Sequence, residues 1–159
     1  MATDWKAKEA EYYIHTFNRQ PIVVERGEGA RVWDVDGNEY LDFTAGLAVN
    51  NLGHAHPVVT DVIQKQAAKL LQMSNLYYTV PQLELAEALV QNSCMDKVFF
   101  ANSGVEANEG AVKLARKYGR LHRNGAQGVI TALNSFHGRT YGMIAATGQP
   151  AYQQAWLPL

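Results

Sequence analysis

KVFFANSGVEANEGAVKLARKYGR (residues 97–120) and the following GVITALN (residues 128–134) decide the fold of this chain. KVFFA and GVITALN are apolar runs of strand length, whereas the segment between them repeats its apolar residues at helical spacing. A strand, a helix and a second strand in this order predict a βαβ unit, whose two strands run parallel in one sheet. The sequence therefore predicts an α/β fold.

The helix of this unit carries an apolar stripe. Its members, which recur at helical spacing, are Ala111, Leu114, Ala115 and Tyr118. We expect this face of the helix to pack against the sheet, because a crossover helix buries its apolar face on the strands that it connects.

Smaller elements precede the βαβ unit. The spacing predicts a helix over residues 4–17 with Asp4 as its cap. Residues 22–43 alternate apolar and polar side chains around Asp36-Gly37-Asn38, which predicts a hairpin within a small β-meander. Two further helices are expected, each beginning at a proline, over residues 57–71 and 81–92.

The composition is that of a nearly neutral globular chain. Of the 159 residues 47% are hydrophobic, and 14 Lys and Arg against 15 Asp and Glu give a formal net charge of −1. This length suffices for a sizeable core, and neither charge sign is clustered as in proteins that bind nucleic acid or membrane surfaces. We therefore expect small-molecule chemistry, with neither nucleic acid nor membrane as a partner.

Cysteine usage bears on the compartment. Cys94 is the only cysteine, so no internal disulfide can form, and this fits a reducing environment. The first residues lack the apolar core of a signal peptide, and nowhere do 18 apolar residues run together. We expect a cytoplasmic protein.

The turn between the first strand and the helix is a candidate phosphate site. The amide groups of a helix's first turn have no intrahelical partner, and Gly104 lets the backbone come close to an anion while Ser103 offers a hydroxyl. The same residues also fit a capping box, in which Ser103 and Glu106 satisfy the free donors without a ligand. The local sequence leaves both interpretations open.

FHGRT, residues 136–140, places an aromatic ring, a glycine and a guanidinium side by side. Taken alone, Phe136 could be a core residue and Arg139 a solvated charge. The stretch directly follows the second strand, however, and should emerge at the same carboxyl edge as Ser103 and Gly104, where open α/β sheets bind their ligands. The sequence thus predicts one crevice suited to a flat, anionic small molecule.

The remaining patterns give no catalytic or metal site. His54-Ala55-His56 lacks a spaced third ligand for a metal, so we expect it to have a loop or capping role. Cys94 resembles an apolar residue at a helix end more than a nucleophile. Neither G-x-x-x-x-G-K-[ST] nor G-x-G-x-x-G occurs, so nucleotide-binding loops of these two kinds are not indicated.

Beyond these local patterns, the sequence as a whole resembles the class III (subgroup II) pyridoxal-5'-phosphate aminotransferases. The resemblance runs through nearly the whole chain, in the segments GEGARVWDVDGNEYLDF, GLAVNNLGHAHP, SNLYYTVPQLELAEALV, KVFFANSGVEANEGAVKLARKYGR and FHGRTYGMIAATGQPAYQ. It implies the N-terminal part of a fold type I transferase. Residues 1–50 would then contribute a helix and β-meander to the small domain, and residues 51–159 would begin the large cofactor domain.

The resemblance also implies roles for the candidate residues. Ser103 and the amide groups of Gly104 and Val105 would hold the phosphate of pyridoxal 5'-phosphate. Phe136 would stack on its pyridine ring, and Arg139 would bind the α-carboxylate of the substrate. An aromatic face and a guanidinium suit a flat ring and a carboxylate, respectively.

The family forms its covalent bond to the cofactor through a lysine that the resemblance places beyond residue 159. The carboxylate partner of the pyridinium nitrogen and a C-terminal substrate arginine would lie there as well. No catalytic residue is therefore assigned within this chain, and we expect the 159 residues alone to be inactive.

Within the family the segments are most similar to members that transfer an amino group from N2-acetyl-L-ornithine to 2-oxoglutarate in arginine biosynthesis. Gly46 stands where ornithine aminotransferases carry a substrate-binding tyrosine, which favours the acetylated donor. Ornithine, succinylornithine and 4-aminobutyrate stay open as donors. The resemblance implies a homodimer, with Tyr77 or Tyr78 near the partner subunit. The rival hypothesis is a non-catalytic module that binds phosphate or a partner protein.

Overall fold

The structure, a computed structural model, describes residues 3–158. The chain divides into two compact units between Tyr77 and Tyr78. The expected division of the complete protein into a small domain over residues 1–50 and a large domain from residue 51 is a separate matter and stays a prediction.

The first unit contains the expected meander. Strands β1 (Val24–Glu28), β2 (Arg31–Asp34) and β3 (Glu39–Leu41) form an antiparallel sheet in the order β1-β2-β3. Helix α1 (Trp5–Tyr12) precedes it and is shorter than predicted, with the Asp4 carboxylate accepting the amides of Lys6 and Ala7 as a cap.

Asp34 closes the hairpin between β2 and β3. Its buried carboxylate accepts hydrogen bonds from the Asn38 side chain and amide, from the Tyr40 hydroxyl and from the Asp36 amide. These bonds, first the one from the Asn38 side chain, hold the pKa of Asp34 below its usual value. The predicted turn at residues 36–38 is confirmed, and one buried aspartate organises it.

The segment after β3 is irregular. Four successive residues, Ala45–Ala48, have positive φ and form a short turn, α2, in which Gly46 and Leu47 are left-handed. Helix α3 (Pro57–Lys69) then begins at Pro57, in agreement with its prediction.

The second unit is mainly helical. It contains α4 (Val80–Gln91), α5 (Gly104–His122), α6 (Tyr141–Ala146), α7 (Pro150–Gln153) and a 3₁₀ turn, Gln154–Trp156. Residues 97–101 and 128–134, predicted as strands, join no sheet. A strand exists through ladder hydrogen bonds to a neighbour, and none of the residues between 3 and 158 supplies such a ladder to either segment.

The covered face of α5 is not the predicted one. Leu114 and Tyr118 of the apolar stripe are 71% and 52% exposed. Most of the more protected residues lie on another face and are Val105, Asn108, Glu109, Val112 and Gly119; Gly110, next to the Phe99 ring, is protected as well. The reason is that the segment after residue 134 lies against Asn108 and Glu109 and that Ala126 lies against Gly119, whereas no strand among the described residues covers the stripe.

Few apolar side chains are buried within the described chain. Met143 and Ile144 of α6 are 3% and 6% exposed, and Thr147, directly after that helix, is fully buried. The tightest packing therefore surrounds α6. No helix in the described part of the chain combines the length and apolar character needed to cross a membrane.

Candidate functional site

The N-terminus of α5 offers free hydrogen-bond donors. Ser103 has extended backbone angles and caps the helix, because its hydroxyl oxygen accepts the Glu106 amide at 3.3 Å. No residue in the described range provides an acceptor for the amides of Gly104 and Val105. A Cβ added at Gly104 would have no neighbour within 4 Å, so the backbone is accessible there. This end of α5 can receive an anion.

The capping interpretation is realised at the same position. The Ser103 hydroxyl lies 3.1 Å from Glu106 Oε2, and Asn102 Nδ2 donates to Glu106 Oε1 at 3.3 Å. The Asn102 bond, followed by that of Ser103, lowers the pKa of Glu106. The carboxylate is thus turned toward residues 102 and 103 while the first two amides stay open, so a cap and an anion site can coexist.

The 136–140 loop lies directly on the first turns of α5. Asn108 Nδ2 donates to the His137 carbonyl oxygen at 2.8 Å. Gly138 has φ +126°, and a Cβ at this residue would stand 2.1 Å from Val105 Cγ2. The close approach therefore requires glycine, and it brings the two candidate segments together as the sequence predicted.

Phe136 and Arg139 form a cluster with Tyr152. The rings of Phe136 and Tyr152 meet edge to face with centroids 5.6 Å apart. The Arg139 guanidinium lies 5.4 Å from the Phe136 ring and 5.7 Å from the Tyr152 ring. The positive charge is thus held over aromatic faces, which favour a cation.

The loop is supported from behind by the start of α6. The Thr140 hydroxyl donates to Glu109 Oε1 at 2.5 Å and accepts the Met143 amide at 3.2 Å, which caps α6. A Cβ at Gly142 would lie 2.8 Å from the Glu109 carboxylate. Glu109 thereby ties α5 to α6.

These segments enclose an open cleft of about 460 Å³. Its walls are Gly104, Val105, Asn108, Phe136, His137, Gly138 and Arg139. Four of the five predicted site residues line this cleft, and the fifth, Ser103, caps the adjoining helix. The volume is within the range typical of small-molecule sites.

Sequence reasoning missed Asn108, Thr147 and Tyr152. Asn108 could have been found, because it lies one helical turn after Gly104 and therefore on the same face. Thr147 and Tyr152 reach the loop only through the path of the chain around α6, for which no local pattern gives a signal.

His54 and His56 have loop roles. His54 Nε2 lies 2.7 Å from Asp42 Oδ2, and backbone hydrogen bonds in both directions join His54 to Gly29. His56 immediately precedes α3. The bond to His54, followed by those from Thr44 and the Ala45 amide, lowers the pKa of Asp42. The contacts of His54 with Asp42 and Gly29 thus anchor this loop to the meander.

The chain is similar in sequence to known aminotransferases. The family described as Aminotransferase class-III matches residues 12–159. An acetylornithine aminotransferase of Caldanaerobacter subterraneus subsp. tengcongensis is 56% identical over 152 residues, which are 95% of this chain and 39% of that protein. The chain spans about two-fifths of the length of the curated relatives that it matches.

Solved structures share its fold. An ornithine aminotransferase from Toxoplasma gondii superposes with a TM-score of 0.93 at 29% identity, over 100% of this chain and 39% of that one. An N-acetylornithine aminotransferase from Stenotrophomonas maltophilia is 41% identical with a TM-score of 0.73, over 83% of this chain and 35% of that one. The predicted α/β class and the fold type I relationship are confirmed. With the family match covering all but the first eleven residues, the chain belongs to the class III aminotransferase family.

Proposed function

We propose that the protein carrying this chain is a pyridoxal-phosphate-dependent transaminase. It would convert N2-acetyl-L-ornithine and 2-oxoglutarate into N-acetyl-L-glutamate 5-semialdehyde and L-glutamate, a step of arginine biosynthesis. The observation that carries the proposal is the meeting of three features in one cleft: the open amides at the start of α5, the Phe136 ring and the Arg139 guanidinium. The amides would bind the cofactor's phosphate, the ring would stack on its pyridine, and the guanidinium would bind the substrate's carboxylate.

The residues of the cleft fit pyridoxal phosphate. The Gly104 and Val105 amides can donate to phosphate oxygens, and the Ser103 hydroxyl can turn from Glu106 to the same group. The Phe136 ring is half exposed and can face a planar heterocycle. When bound, pyridoxal phosphate supplies an electron sink for chemistry at the substrate's α-carbon.

Arg139 would orient the substrate. A guanidinium pairs with a carboxylate through two parallel hydrogen bonds, which fixes both the position and the rotation of the bound molecule. Because Phe136 precedes it by three residues on the same loop, a carboxylate bound at Arg139 would stand at a fixed distance from the stacked ring. Amino-group transfer needs the substrate and the cofactor to be held in such a fixed arrangement.

The choice of donor rests on sequence similarity. The 56% identical relative is named for acetylornithine, whereas the ornithine aminotransferase of similar fold is 29% identical. Acetylornithine is therefore the leading donor, and ornithine, succinylornithine and 4-aminobutyrate are the competitors.

We also propose a cytoplasmic homodimer in which Tyr77 or Tyr78 lies near the partner subunit. Tyr77 and Tyr78 are 62% and 94% exposed, so both are accessible to a partner subunit. Sedimentation of the full-length protein should give a dimer, and Tyr78→Glu should weaken it. A fully active wild-type monomer would exclude the assembly proposal.

The function is tested with the full-length protein that contains this chain. Titration with pyridoxal phosphate should give a saturable visible absorbance band, and glutamate should form from 2-oxoglutarate in the presence of each accepted donor. We expect kcat/KM to be highest for acetylornithine among the four donors. A band without turnover of any donor would support the non-catalytic alternative, and a preference for another donor would correct the substrate.

A further inference from the structure

Thr147 is a fully buried polar residue with direct contacts to the site loop. Its hydroxyl oxygen accepts the His137 amide at 3.0 Å. The same oxygen lies 3.0 Å from the Gly138 carbonyl oxygen and 3.0 Å from the Met143 carbonyl oxygen. A hydroxyl has one hydrogen to donate, so it serves one of these two acceptors at a time.

Asn108 holds the loop from the opposite side. Its side-chain amide donates to the His137 carbonyl oxygen at 2.8 Å. Together the two side chains engage three polar groups of consecutive backbone: the amide and carbonyl of His137 and the carbonyl of Gly138. We call Asn108 and Thr147 the peptide clamp.

The clamped backbone is the link between the two functional side chains. Phe136 and Arg139 flank His137 and Gly138, so a rotation of either peptide changes the distance between the ring and the guanidinium, now 5.4 Å. Gly138 has no side chain to restrict its own backbone angles, although its backbone lies close against Val105. Besides that approach, the hydrogen bonds to the Thr147 hydroxyl and the Asn108 side-chain amide restrict the rotation.

We propose that Asn108 and Thr147 are positioning residues, which fix the separation and relative orientation of Phe136 and Arg139. This inference rests on the proposed function for its kinetic consequences. Neither residue needs to touch a reacting atom. Losing the Thr147 hydroxyl should leave the loop in place but widen its range of orientations.

The test compares variants of the full-length protein. Thr147→Val removes the hydroxyl at nearly constant shape, Thr147→Ser keeps it, and Asn108→Leu removes the second donor. Ile144→Val is the matched control, because Ile144 is 6% exposed on α6 and its side chain makes no hydrogen bond to the loop. Thermal unfolding is recorded for each variant.

The first readout needs no cofactor. Hydrogen exchange of a peptic fragment spanning residues 135–140 in the cofactor-free protein should be about tenfold faster in Thr147→Val, because the His137 amide loses its acceptor. Thr147→Ser should exchange like the wild type within about twofold, and so should Ile144→Val. Equal exchange in folded Thr147→Val and the wild type would refute the clamp.

The second readout is kinetic. KM for both substrates should rise about five- to tenfold in Thr147→Val, kcat should fall less, and the circular dichroism of the bound cofactor should change. Thr147→Ser, which keeps the hydroxyl, should have the KM, the kcat and the circular dichroism of the wild type. Equal defects in Thr147→Ser and Thr147→Val would show that the hydroxyl is not the cause and would overturn the proposal.

If Thr147→Val fails to fold, the Asn108→Leu variant tests the peptide clamp instead. Asn108 is only partly buried, and its variant should raise both exchange and KM; unchanged values would overturn the clamp. A wild-type protein without cofactor binding or turnover would refute the proposed function instead, while the exchange measurement would still test the clamp.

Discussion

Gly138 is the residue on which the shape of the cleft depends most directly. Its φ of +126° and its approach to Val105 leave no room for a side chain. The loop can therefore lie on the first turn of α5 only while this position is glycine.

Gly138→Ala should both destabilise the full-length protein and weaken cofactor binding. We expect a loss of about 2 kcal/mol or more in unfolding free energy, because a positive φ and a steric overlap act together. Denaturant unfolding and a pyridoxal phosphate titration measure the two effects. Gly128→Ala is the control, since a Cβ there would have no neighbour within 4 Å. Equal behaviour of the two variants would count against the close approach.

Arg139→Ala should cost about 2 to 5 kcal/mol in transition-state or substrate binding, as expected when one partner of a desolvated charge pair is removed. Arg139→Lys should recover only part of this, because an ammonium cannot form the paired bonds of a guanidinium. Steady-state kinetics with both substrates measures the loss. An unchanged kcat/KM would remove Arg139 from the site.

At the scale of elements, α5 shows what sequence reasoning captured. The start of the helix at Ser103 and Gly104 was predictable, because capping chemistry is encoded within four residues. The face that it would cover was not, because Leu114 and Tyr118 gave the clearer apolar stripe whereas Asn108, Glu109 and Gly119 form the protected face. Hydrophobic spacing finds apolar faces, and it does not find a face held by polar contacts and close backbone approach.

The meander and its anchored loop should lose stability in acid. The pKa values of Asp34 and Asp42 are lowered in the folded chain, so their contribution to stability is complete above the usual aspartate pKa of about 3.9. It is lost as the pH falls through the lowered values of the folded state. Urea midpoints of the full-length protein between pH 6 and pH 2.5 should therefore fall steeply.

Substitution separates this effect from general acid unfolding. Asp42→Asn should lower the midpoint at pH 6 and flatten its dependence on pH below about pH 4. Asp61→Asn should do neither, because Asp61 pairs with Lys65 on the exposed surface of α3, where such pairs contribute little. If the urea midpoints of the wild type and of Asp42→Asn depended on pH in the same way, Asp42 would not be a source of the acid sensitivity.

For the whole molecule, the exposed apolar surface is the dominant feature. Phe99 is 72%, Ile130 100% and Leu133 88% exposed, in the two apolar segments that were predicted as strands. The prediction of strands is wrong for both segments in the described chain, and these apolar side chains are exposed. Sheet pairing did not follow, because it depends on neighbouring strands and is not a property of the segment itself.

The isolated 159-residue chain should consequently be loosely packed. We expect it to bind a hydrophobic dye, to aggregate at micromolar concentration and to unfold without a sharp transition. Incubation with pyridoxal phosphate, borohydride reduction and peptide mapping should show scattered labelling of several lysines and no transaminase activity. Stoichiometric labelling of one lysine together with turnover of acetylornithine would show instead that these residues suffice for catalysis.

The contact between Gly138 and Val105 also constrains how this sequence can evolve. An alanine at position 138 would place its Cβ 2.6 Å from Val105 Cβ and 3.3 Å from Val105 Cα, so among replacements at position 105 only glycine would relieve the overlap. Glycine there would in turn weaken the first turn of α5. A lineage would have to pass through a damaged intermediate before the second change could compensate, so position 138 should stay glycine as long as position 105 carries any side chain.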